Sequence, residues 1–144
     1  MSDFRIRKTR WADDREALAG IRRTVFIDEQ HVPEDMEWDE HDEASVHFLA
    51  EDPAGKALGC VRLLPSGQIS RLSVLLERRT EGIGRALLDA AIAEARAQGL
   101  REIFLHAQTH ATSFYEAAGF LVDGGIFVEA GIPHRLMVKT LDPQ

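Results

Sequence analysis

The sequence Val-Leu-Leu-Glu-Arg-Arg-Thr-Glu-Gly-Ile-Gly, residues 74–84, joins a β-branched strand to a helix through a short charged turn. Apolar residues at helical spacing predict the helix, and they are Leu87, Leu88, Ala91, Ile92 and Ala95. Gly82 and Gly84 let the main chain approach a ligand closely, and the first N–H groups of a helix favour anions. Arg79 adds a permanent positive charge. The segment therefore predicts a phosphate-binding turn.

Two other nucleotide-binding motifs also place glycines before a helix, and the sequence argues against both. The third glycine of a dinucleotide-binding fingerprint would fall on Leu87, and Glu102 opens the next strand, whereas the fingerprint needs an acidic residue at its end. A P-loop needs Gly-Lys-Ser/Thr, which does not follow Gly84.

A second pattern follows at the distance that one helix and one strand require. It is a helix that carries a phenol and ends at Gly-Phe, formed by Ala111, Phe114, Tyr115, Gly119 and Phe120. In this order the two patterns resemble the acyl-CoA pyrophosphate loop and the second signature of the GNAT acetyltransferase superfamily. Two further stretches resemble its small ElaA-like branch: Val25, Phe26, Glu29 and Gln30 with Asp39 and Asp42, and Phe127, Glu129, Gly131, Ile132, Pro133, His134 and Met137.

The order of the predicted elements fits this resemblance over nearly the whole chain. Strands are predicted over residues 4–8, 47–51, 57–64, 68–75, 102–107, 125–129 and 134–141. Helices are predicted after a capping box at Asp13 and Glu16, from Gly84 to a stop at Gly99, and from a cap at Thr109 to Gly119, with a loop and a short helix over 28–43.

The predicted fold class is α/β (α+β). A strand, helix and strand over 69–107 require a parallel pair, whereas the hairpins beside them require antiparallel neighbours. The resemblance implies the GNAT fold, with a mixed, mostly antiparallel sheet of six to seven strands, a central parallel pair and about four helices. We expect a single domain over 1–144, since the length lies near the middle of the single-domain range.

The resemblance implies acetyl-CoA as cosubstrate. The pyrophosphate would be held by the turn and first helical residues, Arg79, Thr80, Glu81, Gly82, Ile83, Gly84 and Arg85, and the pantetheine arm by Leu72, Ser73 and Val74. Gln108 stands where the family often has an Asn that touches this arm, and Phe114 completes the expected binding residues.

The implied reaction is acyl transfer from a thioester to an amine, which needs a proton acceptor and a proton donor. Tyr115 matches the proton donor of the family. The fourth strand, where many members carry a carboxylate, reads Gln-Ile-Ser-Arg over 68–71 and offers none. His106, Glu29, Glu129 and His134 are the candidate bases, and a water chain to one of them is an equal alternative.

Residues 28–43 hold nine carboxylates and no Lys or Arg. One interpretation is a solvated loop; the other is an attractive surface for a cationic acceptor, with Met36 and Trp38 as an apolar wall. The pair His106 and His110 lacks a third ligand, so we expect no metal site. Cys60, the single cysteine, is predicted to be a small core residue in a reducing compartment.

The 144 residues carry a formal net charge of −7, which disfavours nucleic acid as a partner. No stretch approaches the apolar length of a membrane span or a signal sequence, so we expect a cytoplasmic protein without a membrane partner. Members of the family are often dimers, which makes a homodimer compatible with the resemblance.

The expected function is acyl-CoA-dependent N-acylation, with acetyl transferred to a primary amine of a small molecule by direct attack in a ternary complex. A protein amine is a second type of acceptor. The alternative from another class is a non-catalytic acyl-CoA-binding or regulatory module, because the fourth-strand carboxylate is missing. Acyl-homoserine-lactone synthases have a pattern similar to Arg22, Val25, Phe26 and Glu29, but they are longer and lack the C-terminal pattern.

Overall fold

The computed structural model describes residues 3–142; residues 1, 2, 143 and 144, which include both ends of the predicted domain, lie outside it. Seven strands are present in this range: β1 Arg5–Thr9, β2 Val46–Glu51, β3 Ala57–Leu63, β4 Gln68–Val74, β5 Glu102–Gln108, β6 Leu121–Glu129 and β7 Ile132–Thr140. The helices are α1 Trp11–Arg22, α2 Glu34–Glu37, α3 Ile83–Ala97 and α4 Thr112–Glu116. A π-helical segment, Arg23–Glu29, continues α1.

The strands form one sheet in the order β1-β2-β3-β4-β5-β7-β6. The pair β4 and β5 is parallel, and the other five pairings are antiparallel. Helix α3 makes the crossover between the two parallel strands. The predicted mixed sheet with a central parallel pair and four helices is therefore confirmed.

The hairpins turn at Asp52-Pro53-Ala54-Gly55 and Leu64-Pro65-Ser66-Gly67, where the sequence has Pro second and Gly fourth as a type I turn prefers. The N–H of Gly55 donates to Asp52 O at 2.9 Å, and the N–H of Gly67 donates to Leu64 O at 3.0 Å. Both glycines have positive φ, +88° and +96°, which explains why glycine stands fourth in each turn.

Helices cover both faces of the sheet. On one face, α3 buries Leu87, Leu88 and Ala91 against the sheet, where Ile103 and Leu105 of β5 are also buried. On the other face, α1 packs Leu18 and Ile21 against residues of β2 and β3, including Cys60. The prediction that Cys60 is a small core residue is confirmed, because its side chain is buried, and burial raises the pKa of the thiol to about 11. Among residues 3–142, no helix is long and apolar enough to cross a membrane.

The predicted cap of α1 is wrong. The helix begins at Trp11 with Arg10 as its N-cap, and no described side chain bonds to that end. Asp14 has a non-helical φ of −132° because its carboxylate accepts two hydrogen bonds from Arg7, at 2.9 and 3.2 Å, and one from the Thr9 hydroxyl. A strand-to-helix ion pair thus outweighs the local capping preference.

The predicted cap of α4 is also wrong. Its N-cap is Ala111, and Thr109 lies one turn earlier in a 3₁₀ segment, Thr109–Ala111. The carbonyl of Thr109, and not its side chain, accepts a hydrogen bond from the Thr112 hydroxyl at 3.4 Å.

Candidate acyltransferase site

The parallel strands β4 and β5 form a fork. They pair only at Gln68 with Phe104 and at Ile69 with Leu105, after which β4 leaves its neighbour. On its other edge β4 bulges against β3. Two residues, Arg71 and Leu72, lie between Ser70 and Ser73, whereas a single residue lies between their partners on β3. Arg71 has a φ of +58° in this bulge. The last residues of β4 therefore face β5 without a strand partner.

A cavity of about 700 Å³ opens at the fork. Its walls include nine of the predicted site residues: Leu72, Ser73, Val74, Arg79, His106, Gln108, Phe114, Tyr115 and His134. Glu129 and the apolar side chains Val25, Phe26, Val32 and Met36 also line it. Glu29, Thr80, Glu81, Gly82, Ile83, Gly84 and Arg85 lie outside its walls. The fork thus gathers residues from β4, β5, β6, β7 and α4 that are far apart in sequence.

The predicted phosphate-binding turn enters α3 without a side-chain cap. Gly82 is the N-cap with a φ of +88°, and Thr80 before it has a φ of +70°. The first hydrogen bond of the helix runs from Ala86 N–H to Gly82 O at 3.0 Å. The N–H groups of Ile83, Gly84 and Arg85 precede it and so have no acceptor within the helix. They give this end of α3 a positive potential that suits an anion.

The fold itself requires only one of the two glycines of the turn. At Gly82 a side chain would have room, but the left-handed φ favours glycine. Gly84 has ordinary helical φ, and a Cβ added there would lie 3.7 Å from Phe114 Cζ and from Val74 Cγ2, which is normal contact. Neither the backbone nor the packing of this chain therefore requires glycine at 84.

Arg79 is bound by the protein itself. Its Nη1 and Nη2 donate to the two carboxylate oxygens of Glu29 at 2.6 and 2.7 Å, and its Nε donates to Val74 O at 2.9 Å. The hydrogen bonds from Arg79 lower the pKa of Glu29, which makes this carboxylate a weak base. The guanidinium joins the end of the π-helical segment to the end of β4, and its positive charge is paired within the protein.

Tyr115 lies on α4 between two aromatic rings. Its ring meets Phe114 edge-on at 5.1 Å and Phe120 at 6.1 Å, and it packs against the core on the α3 face of the sheet. Burial raises the pKa of the phenol to about 12. The hydroxyl therefore keeps its proton at neutral pH, which is the state that a donor needs.

His106 and Glu129 lie together on the opposite side of the fork. Nδ1 of His106 is 2.9 Å from Glu129 Oε2 and 3.3 Å from Oε1. Phe127 meets the His106 ring edge-on at 5.2 Å and stacks on His134 at 5.9 Å. His134 is buried, and its Nδ1 donates to Ile132 O at 2.6 Å. The structure thus joins three of the candidate catalytic residues in one aromatic cluster.

Gln108, the last residue of β5, bonds with the opposite wall of the cavity. Its Nε2 donates to Gln30 Oε1 at 2.7 Å, and its Oε1 lies 2.8 Å from His110 Nε2. The amide therefore bridges the end of β5 to the residue that follows the π-helical segment.

Three carboxylates of the acidic segment take part in a buried ion network, which neither interpretation based on the sequence included. Arg22 has no exposed surface, and it bonds to Glu37 Oε2 and Asp42 Oδ1 at 2.7 Å each. Arg62 donates to Asp39 Oδ1 at 2.7 Å and to Asp42 at 3.0 Å. The network joins α1 and β3 to the end of α2 and the segment after it, so Glu37, Asp39 and Asp42 are paired with arginines.

Arg71 extends this network to the cavity wall. Its Nη2 donates to Glu37 O at 2.9 Å, and its Nε lies 2.9 Å from Glu37 Oε2 without hydrogen-bond geometry. Arg22 is sandwiched between Trp11 and Trp38, at 5.3 and 5.2 Å from the ring centres. Sequence spacing gave no signal for these pairs, because every arginine lies outside the acidic segment.

Comparison with known proteins places this geometry in a family. Residues 12–141 match the model described as an acetyltransferase (GNAT) domain. The Bacillus subtilis (strain 168) protein YyaT is 37% identical over 142 residues, which cover 94% of each chain. An acyl-CoA N-acyltransferase from Pseudomonas aeruginosa has a TM-score of 0.85 at 28% identity, over 95% of this chain and 99% of its own. Escherichia coli ElaA shares the fold, with a TM-score of 0.84 at 24% identity over 94% of this chain and 99% of its own. The expected resemblance is confirmed, and the chain belongs to the GNAT acetyltransferase family.

Proposed function

We propose that this protein is an acyl-CoA-dependent N-acyltransferase that transfers acetyl from acetyl-CoA to a primary amine of a small molecule. The observation that carries the proposal is the fork, where an unpaired strand edge and a phenol line one cavity, and the uncapped start of α3 lies against Val74 and Phe114 of its walls. The family uses acyl-CoA donors, and each of these parts has a use in holding one. We further propose that residues 1–144 act as one cytoplasmic domain.

The cosubstrate would bind along the edge of β4. Leu72, Ser73 and Val74 have no partner on β5, so this edge of β4 can bond the amides of the pantetheine arm as a neighbouring strand would, except at Val74 O, which accepts from Arg79. The N–H groups of residues 83–85 would hold the pyrophosphate. Glycine at 84 supports this placement, because the fold itself does not require it and glycine lets a ligand approach the main chain closely.

The amine would attack the thioester directly in a ternary complex. Tyr115 lines the same cavity as β4 and would face the departing sulfur. Because burial makes the phenolate costly, we propose that Tyr115 stabilises the thiolate chiefly by donating a hydrogen bond. The cavity volume of about 700 Å³ lies within the range of small-molecule sites, which favours a small acceptor over a protein amine.

One assay separates this function from that of a non-catalytic acyl-CoA-binding module. The protein is incubated with acetyl-CoA and a panel of primary alkylamines and amino acids, and free thiol is followed with time. We expect thiol release with at least one acceptor, and a loss of kcat in Tyr115→Phe with unchanged affinity for CoA, because the ring packing is retained. Protection by CoA against thermal unfolding without thiol release from any acceptor would support the binding module.

A further inference from the structure

The position of His106 makes it available to an acceptor in the fork. It is the first residue of β5 after the last pair with β4, and it alternates with Leu105 and Ala107, which are buried on the α3 face. Its side chain therefore lies on the face opposite to Tyr115 and remains 33% exposed. Both side chains line the cavity, so a thioester carbonyl in the fork would lie between them.

The contact with Glu129 fixes which nitrogen of His106 carries the proton. An ionised carboxylate only accepts hydrogen bonds, so the nitrogen beside it, Nδ1, is the protonated one in the neutral ring. The lone pair is then on Nε2. Phe127 holds the ring edge-on, and Phe127 is itself stacked on the buried His134. The imidazole is thus held in one tautomer and one orientation.

Other groups around the cavity are occupied by different contacts. Glu29 is bonded to Arg79 through both oxygens, and Glu37 and Asp39 are paired with arginines. His106 and His134 each keep Nε2 free to accept a proton, but His134 is buried, whereas His106 is exposed enough for an acceptor to reach it.

We infer that His106 is the general base of the acyltransferase and that Glu129 is its positioning residue, an inference that rests on the proposed function. The amine nitrogen forms the C–N bond with the thioester carbonyl, and its proton passes to His106 Nε2. The C–S bond breaks, the thiolate takes up a proton from solvent while Tyr115 donates its hydrogen bond, and the imidazolium returns its proton to solvent. The products are the amide and free CoA thiol, with no net change in protons. This pair takes the place of the carboxylate that β4 lacks.

The tautomer is tested without any acceptor by nitrogen-15 NMR of the histidine side chains. His106→Gln assigns the signals, and we expect a protonated Nδ1 and an unprotonated Nε2 at neutral pH. In Glu129→Gln we expect this preference to weaken, because an amide can donate as well as accept. A proton on Nε2 and none on Nδ1 in the wild-type protein would overturn the inference.

The catalytic role is tested by kinetics with acetyl-CoA and the primary amine from the panel that gives the fastest thiol release. For His106→Gln we expect kcat to fall by about 10²- to 10⁴-fold, the usual contribution of general base catalysis, with KM for acetyl-CoA nearly unchanged. Free imidazole should restore part of the rate to His106→Ala, and Glu129→Gln should lower kcat with the same small effect on KM.

His31→Asn serves as the matched control, since His31 is exposed, lies outside the cavity and has a φ of +59° that Asn tolerates. We expect its kinetics to equal those of the wild type. Turnover by His106→Gln within threefold of wild type would overturn the inference and leave the proposed function intact. If the wild-type protein released no thiol with any amine, the proposed function would be refuted, and the inference about His106 would be refuted with it.

Discussion

Gly84 offers a direct test of whether a ligand approaches the first turn of α3. We predict that Gly84→Ala folds at least as well as the wild type and binds CoA more weakly. The folded chain accommodates the added Cβ at 3.7 Å from Phe114 and Val74, and alanine is favoured over glycine in a helix by up to about 1 kcal/mol. The expected change in the free energy of unfolding is therefore between zero and about 1 kcal/mol in the stabilising direction.

The predicted loss of affinity follows from the contacts that a Cβ would disturb. A hydrogen bond to a charged group contributes about 1.5–3 kcal/mol, so losing one at the pyrophosphate would weaken CoA binding by roughly tenfold to a hundredfold. Urea unfolding measures the stability, and isothermal titration calorimetry with CoA at 25 °C measures the affinity. The two quantities should move in opposite directions, which a simple folding defect would not produce.

Gly20→Ala is the matched control for this experiment. Gly20 lies in α1, and nothing lies within 4 Å of a Cβ added there. We expect the same small gain in stability and an unchanged affinity for CoA. If Gly84→Ala bound CoA within twofold of wild type, the first turn of α3 would not contact the phosphates. A loss of stability above about 1 kcal/mol would show that the packing argument at residue 84 is wrong.

Three further predictions concern stability. Gly59→Ala should lower the free energy of unfolding by about 1–3 kcal/mol, because its Cβ would lie 2.6 Å from Ser73 O and force β3 from β4; unchanged urea unfolding would contradict this. Arg22→Met should cost about 3–5 kcal/mol, because it leaves buried carboxylates unpaired, and a loss under 1 kcal/mol in the same assay would show that they find other partners. Hydrogen bonds from Arg7 lower the pKa of Asp14 below its ordinary 3.8, so this carboxylate stabilises the fold above pH 3.8 and the contribution is lost as pH falls through the depressed value. Asp14→Asn should therefore be less stable at pH 7 and depend less on pH below 3.8, and parallel pH profiles would refute the assignment.

The order of the elements and the position of the cavity could be predicted from the sequence because they depend on local patterns. Apolar spacing marked α3, and the Pro and Gly positions marked the hairpin turns that set the sheet. The helix was predicted from Gly84 and begins one residue earlier, at Ile83, with Gly82 as its N-cap at a positive φ. These features are encoded within a few residues of where they act.

The side-chain partners could not be predicted, because they join distant segments. Arg79 and Glu29 are 50 residues apart, and no pattern near either one indicates the pair. His106 and Glu129 were separate candidates in the sequence, and only the neighbouring positions of β5, β7 and β6 bring them to 2.9 Å. The buried ion pairs of the acidic segment were missed for the same reason, since Arg22 and Arg62 come from α1 and β3.

The two residue pairs that join β4 to β5 leave the sheet nearly divided into halves of four and three strands. A pantetheine arm bonded to the β4 edge would supply hydrogen bonds that β5 does not make, so bound cosubstrate would complete the sheet. Its contribution grows with the logarithm of ligand concentration, by about 2.7 kcal/mol at one hundred times the dissociation constant. The lifetime of this protein against proteolysis would then track the supply of its own acyl donor.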